Sequence, residues 1–150
     1  MAFDYPSRVA LARTPTPLQP LERFRPAADG PRLWVKRDDL TGFGLSGNKV
    51  RKLEFCIAEA LAQGCDTLIT CGGNQSNHCR ATALAARQMG LQVHLVLRSD
   101  DEPVSDGNLF IDQLVGAEIS HISKREYATR LDQIYGELVA QYAARGHKAY

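Results

Sequence analysis

Four glycines, at positions 64, 90, 116 and 146, each close a stretch of helical periodicity, and a short run of strand character follows each within a few residues. This repeat constrains the fold more than any other feature. Glycine adopts the left-handed conformation that ends helices. A chain that returns a strand after every helix builds a parallel sheet with helices on its faces, an α/β architecture. The pattern predicts helices over 48–63, 78–89 and 107–115, and strands over 67–71, 92–97 and 117–122. In the first helix Leu53, Ile57, Ala60 and Leu61 share one face. Residues 123–145 read as one long helix, opened by Ser123 with Glu126 at capping-box spacing. After Gly146, residues 147–150 read as the opening of a further strand, so more sequence is expected downstream.

The region before the first helix differs. Six of the seven prolines fall in residues 1–31, which predicts an extended arm. A short strand is expected over 32–36, then a glycine-rich loop over 38–47. A net charge of +1 gives no electrostatic case for nucleic acid or anionic membrane as a partner. Hydrophobic residues make up 44% and charged residues 23%, as in soluble globular domains. No run has the length of a membrane span. The N-terminus carries Asp4 and Arg8 and lacks the apolar core of a secretory signal, so a cytoplasmic location is expected. Cys56, Cys65, Cys71 and Cys79 form no CxxC pair; reduced thiols are expected, with neither zinc nor a disulfide framework.

Three segments carry chemistry. Ser46-Gly47-Asn48-Lys49-Val50-Arg51-Lys52 puts a lysine at a helix start, where the dipole disfavours a cation by roughly 0.3–1 kcal/mol. The same field favours the neutral amine that condenses with an aldehyde, and Arg51 and Lys52 are expected to act in the same sense. Gly44 and Gly47 would let a flat ring approach the backbone. Taken alone, the segment also reads as a surface lysine behind a flexible loop. Cys71-Gly72-Gly73-Asn74-Gln75-Ser76-Asn77-His78 lies between a strand and a helix, where free N–H groups and the dipole favour an anion. Its neutral donors suit a carboxylate, although it also reads as an ordinary capped helix after a tight turn. It contains neither GxGxxG nor a Walker lysine, which disfavours a dinucleotide or a triphosphate. No second histidine stands at ligand spacing from His78, so no metal is expected. Lys36-Arg37-Asp38-Asp39 is either a solvated strand end or a brace for the loop leading to Lys49.

Together these segments closely resemble the family of D-cysteine desulfhydrases and 1-aminocyclopropane-1-carboxylate (ACC) deaminases. The resemblance runs through Thr14-Pro15-Thr16-Pro17-Leu18, the Lys36–Asp39 cluster, the ten residues from Ser46 to Phe55, Asp66 to Thr70 and the Cys71 to Thr82 segment. It continues through His94 to Arg98, Gly107-Asn108-Leu109 and Ile122 to Tyr127. It implies the tryptophan-synthase-β-like fold, fold type II, with pyridoxal 5′-phosphate (PLP) as cofactor. Lys49 would form the Schiff base with PLP, Asn77 would bond the 3′ oxygen of its ring, and Asn48 would flank the lysine. Ser76, with Gln75, Asn77 and His78, would hold the substrate carboxylate, Lys49 and Ser76 being the catalytic pair. Residues 1–45 would belong to the large domain and 46–150 to the small one. The phosphate-binding loop would lie further on, so these 150 residues alone are expected to bind PLP weakly and to be inactive. Full-length members are commonly homodimers acting on small amino acids. His78 after the Ser76-Asn77 pair, where ACC deaminases usually carry glutamine, favours β-elimination from D-cysteine. The alternatives are ACC deaminase or a related eliminase and, in another class, an inactive truncated remnant.

Overall fold

The computed structural model describes residues 5–24, 30–42, 44 and 46–150. Parts of the expected arm (1–4 and 25–29) and positions 43 and 45 of the lysine loop lie outside these. In chain order come β1 (Leu18–Pro20), β2 (Trp34–Lys36), α1 (Lys49–Ala62), β3 (Thr67–Gly73) and α2 (Asn77–Gln88). They are followed by β4 (Gln92–Arg98), α3 (Gly107–Leu114), β5 (Glu118–Ile122), α4 (Lys124–Thr129) and α5 (Leu131–Ala144).

The strands β3, β4 and β5 form a parallel sheet in that order, with Ile69 opposite His94 and His94 opposite Glu118. The expected strand opening after Gly146 is present: Ala149 bridges Thr67 in parallel on the free edge of β3. There Tyr150 N–H donates to Thr67 O at 2.9 Å and Ile69 N–H to Tyr150 O at 2.9 Å. Central β4 is buried on both faces, as a parallel strand between helical layers must be. Side chains alternate along it. Val93, Leu95 and Leu97 join the core with Val50, Leu53 and Ile57 of α1, the alanines of α2 and Leu109 of α3. His94 points the other way, with Nδ1 3.1 Å from the Tyr142 hydroxyl of α5.

Three details depart from the sequence reading. Leu61 is 37% exposed, and Val50 and Glu54 take the buried face instead. The helix expected over 123–145 is two helices, because Arg130 leaves helical geometry (φ −131°, ψ 6°). The capping box at its start is present: Glu126 N–H donates to Ser123 Oγ and Ser123 N–H to Glu126 Oε2. Finally, part of the arm is a strand. β1 pairs antiparallel with β2 in a separate two-stranded sheet. Ahead of β1 the arm lies on α1, where Leu11 and Ala12 N–H both donate to the buried Glu54 Oε1 at 2.9 Å.

Candidate active site

Lys49 is the first residue of α1 and is half-buried. The loop before it is tied down by Asp38. That carboxylate accepts from Arg51 Nε at 2.8 Å and Nη2 at 2.7 Å, a two-pronged pair. It also accepts from the Thr16 hydroxyl at 2.9 Å. The Arg51 hydrogen bonds hold the Asp38 carboxyl down at about 2. The Asp38 carbonyl accepts from Gly47 N–H at 2.8 Å, and the Thr41 hydroxyl reaches Gly47 O at 3.0 Å. Asp38 of the Lys36–Asp39 cluster therefore braces the lysine loop, with the proline arm taking part through Thr16, while Arg37 and Asp39 pair with each other at the surface. Arg51 is occupied by Asp38 instead of acting as a free charge beside Lys49. Gly47, at φ +102°, makes the turn into the helix in a conformation that L side chains rarely adopt.

The turn at Asn74, Gln75 and Ser76 lies between the C-terminal end of β3 and α2, and α2 reaches the lysine loop through Arg80 and Ser46 O. Ser76 caps α2, its Oγ accepting from Cys79 N–H at 3.2 Å. A hydroxyl that accepts a cap bond keeps its proton for another acceptor. Gly72 makes this packing possible: a Cβ there would lie 2.6 Å from Ser76 Oγ and 2.7 Å from Cys79 Sγ. His78 lies one residue inside α2, with Nε2 2.9 Å from the Thr70 hydroxyl and Nδ1 buried without a partner. Burial, then Lys52 and Lys49, push the His78 pKa down. That shift favours the neutral imidazole. Asn74 Oδ1 is also buried without a partner.

Gln75 is engaged at both ends, which the sequence did not reveal. Its Nε2 donates to Asp106 Oδ1 at 2.6 Å, and its Oε1 accepts from Asn108 N–H at 2.8 Å. Gly107 lets it come this close, since a Cβ there would be 2.5 Å from Gln75 Oε1. Asn77 is exposed, and its Oδ1 accepts from Asn108 Nδ2 at 2.9 Å. Asn48 is exposed and makes no side-chain cap bond. Asn108 and Arg80 were missed as site residues. Arg80 donates to Asn108 Oδ1 at 3.1 Å and to Ser46 O at 3.2 Å, tying α3 and the lysine loop to α2. The only sequence signal was that both lie inside matching runs, because contacts across 28 to 34 residues leave no periodic trace.

Cys79 is no nucleophile, for burial pushes its thiol up to about 11. Cys56, Cys65 and Cys71 are likewise free thiols. Among the described residues, no cluster of three or more His, Cys, Asp or Glu could hold a metal ion. Among the same residues, no helix is long and apolar enough to cross a membrane. A cavity of about 650 Å³ beside Gly44, Ser46, Arg80 and Leu84 is lined by neither Lys49 nor residues 74–78. A smaller cavity of about 160 Å³ is lined by Lys52, Thr70 and His78.

Residues 9–150 match the family described as pyridoxal-phosphate dependent enzyme. The chain is 51% identical over 125 residues to the bifunctional D-cysteine desulfhydrase/1-aminocyclopropane-1-carboxylate deaminase, mitochondrial, of Arabidopsis thaliana, covering 80% of this chain and 31% of that protein. It is 47% identical over 143 residues to a putative 1-aminocyclopropane-1-carboxylate deaminase of Thermotoga maritima, covering 95% and 45%. Its fold matches the crystal structure of an ACC deaminase homologue with a TM-score of 0.83 at 37% identity, covering 97% of this chain and 43% of that one. The chain thus spans less than half the length of these relatives.

Proposed function

The chain belongs to the family of pyridoxal-phosphate dependent enzymes, and from that premise we propose that it forms part of an amino-acid lyase. Its reaction is β-elimination of D-cysteine, in which the thiolate leaves the β-carbon and one water is consumed, to pyruvate, hydrogen sulfide and ammonia. The observation that carries the proposal is the half-buried Lys49 at a braced helix start, in a loop that Arg80 ties to the helix following the Asn/Ser-rich turn. These residues fit PLP: a lysine for its aldehyde and an amide at Asn77 for a ring oxygen, in a turn that also leaves Asn74 Oδ1 without a partner. Gly73 adds an open wall, where a Cβ would meet nothing within 4 Å. The division of the chain at residues 45/46 belongs to the same proposal and is supported by the separate β1–β2 sheet.

In this reading Lys49 is the residue that would hold the cofactor. When bound, PLP draws electron density away from the substrate α-carbon. The free Ser76 hydroxyl proton and the N–H groups opening α2 bind the substrate carboxylate. That fixes the α-carbon within reach of Lys49 Nζ, which removes its proton as general base. His78, neutral and anchored by Thr70, lines the carboxylate side without adding charge, and Gln75 keeps the turn in shape.

ACC deamination is the second reading, favoured by the names of the Thermotoga relative and of the matched crystal structure. ACC has no α-proton, so the Lys49 step would not apply to it. Assaying the intact protein with D-cysteine, L-cysteine and ACC separates the readings. Sulfide from D-cysteine alone supports the first, and ammonia from ACC without sulfide chemistry supports the second. Borohydride reduction with PLP followed by peptide mapping tests both, since label on any residue other than Lys49 would remove their common basis.

A further inference from the structure

Two amides and one guanidinium form a chain across the site: Arg80 on α2, Asn108 at the start of α3, and Asn77 at the start of α2. An amide has an oxygen that only accepts and a nitrogen that only donates, and which end faces which neighbour follows from the partners. Arg80 can only donate, so the atom of Asn108 that it meets at 3.1 Å is the oxygen. The other end of Asn108 lies 2.9 Å from the backbone carbonyl of Gln75, which can only accept. That end is therefore the NH2 group. Two independent partners thus impose the same orientation on Asn108. The Asn108 backbone N–H, bonded to Gln75 Oε1 at 2.8 Å, holds it in place. Its remaining N–H points at Asn77, 2.9 Å away, so the Asn77 atom facing it is the oxygen.

We propose that Arg80 and Asn108 act as a polarity clamp, fixing the exposed Asn77 amide so that its NH2 group, not its carbonyl, faces the site. Asn77 is thereby committed as a hydrogen-bond donor. It is suited to an anionic ring oxygen and unsuited to a protonated one. Arg80 adds a second function. Its bond to Ser46 O at 3.2 Å sets the separation between the lysine loop and the same turn. Arg80 and Asn108 are positioning residues, acting through Asn77. The inference rests on the PLP reading for the identity of the oxygen, but the orientation of Asn77 stands independently of it.

The test uses the intact protein. Asn108→Asp keeps the acceptor for Arg80 and removes the donor to Asn77, freeing Asn77 to turn over. Asn77→Asp still accepts from Asn108 but presents an acceptor to the site. Both are expected to weaken PLP binding by about tenfold or more in absorbance titrations, and to shift the visible absorbance maximum of the bound cofactor, which loss of stability alone would not move. If Asn77→Asp loses affinity while Asn108→Asp binds PLP as wild type does, the clamp is wrong and the PLP reading survives. If the wild-type protein takes no PLP on Lys49, the PLP reading fails. The clamp is then decided by neutron diffraction of the unmodified protein, which also decides it should Asn108→Asp not fold. Two deuterium atoms on the site-facing atom of Asn77 uphold it, and their presence on the atom facing Asn108 overturns it.

Discussion

Lys49 stands where a cation is least favoured on a helix, and the surrounding bonds keep it there. Asp38 occupies Arg51, Gly47 turns the chain, and α1 starts at the lysine itself. If Lys49 is the base, Lys49→Ala lowers kcat for D-cysteine by roughly 10²–10⁴-fold and abolishes borohydride-trapped label, measurable by steady-state kinetics and mass spectrometry. A second residue-scale expectation concerns Asp112, fully buried on α3, with both carboxylate oxygens lacking a hydrogen-bond partner. Burial raises its carboxyl to about 7, against a smaller opposing pull from Arg80. The folded protein therefore holds a proton that the unfolded chain releases near pH 4. By linkage, the contribution of this group to stability is greatest below pH 4 and falls as pH rises towards 7. Asp112→Asn, which cannot ionise, should flatten that slope. Urea midpoints at pH 5 and pH 8 check this: the difference between the two is smaller in the variant than in the wild type.

At the scale of elements, the junction between β3 and α2 does most to shape the site. The strand runs through Gly72 and Gly73, so the turn is shorter than the sequence suggested, and Ser76 caps the helix directly. Gly72 is constrained by close packing, not by its backbone angles. Gly72→Ala would force Ser76 Oγ and Cys79 Sγ aside, and overpacking of this kind costs roughly 1–3 kcal/mol. A thermal midpoint measures the loss. Because Ser76 moves, the KM for substrate should also rise, which a purely structural defect would not require. The break at Arg130 shows the limit of periodicity. Residues 123–145 carry no proline, and the one interior glycine, Gly136, lies inside α5 and does not mark the break.

For the molecule as a whole, Glu54 joins the proline arm to the α/β unit. Its side chain accepts from Leu11 and Ala12 N–H, its backbone carbonyl accepts from Val9 N–H at 3.0 Å, and Arg8 stands 3.5 Å away. Truncation would leave two amide donors without their buried acceptor, a loss of roughly 1–3 kcal/mol. Glu54→Ala should release the arm, seen as faster tryptic cleavage after Arg8 and Arg13 while the sheet stays protected. Since Thr16 of the same arm holds Asp38, PLP affinity should fall in parallel.

The helix-stop glycines and short apolar runs sufficed to specify a parallel α/β unit, because the periods of helices and strands are local properties of the backbone. The lysine, the capping serine and the asparagine turn were legible for the same reason: each sits at an element boundary where neighbouring residue types decide the geometry. Tertiary structure alone decided that Arg51 is held by Asp38, that Glu54 is buried, that Gln75 is anchored to α3, and that Arg80 and Asn108 orient Asn77. Those outcomes depend on which side chains meet after the layers pack, and a donor or acceptor tens of residues away along the chain becomes a partner only once folding has brought the two within about 3 Å.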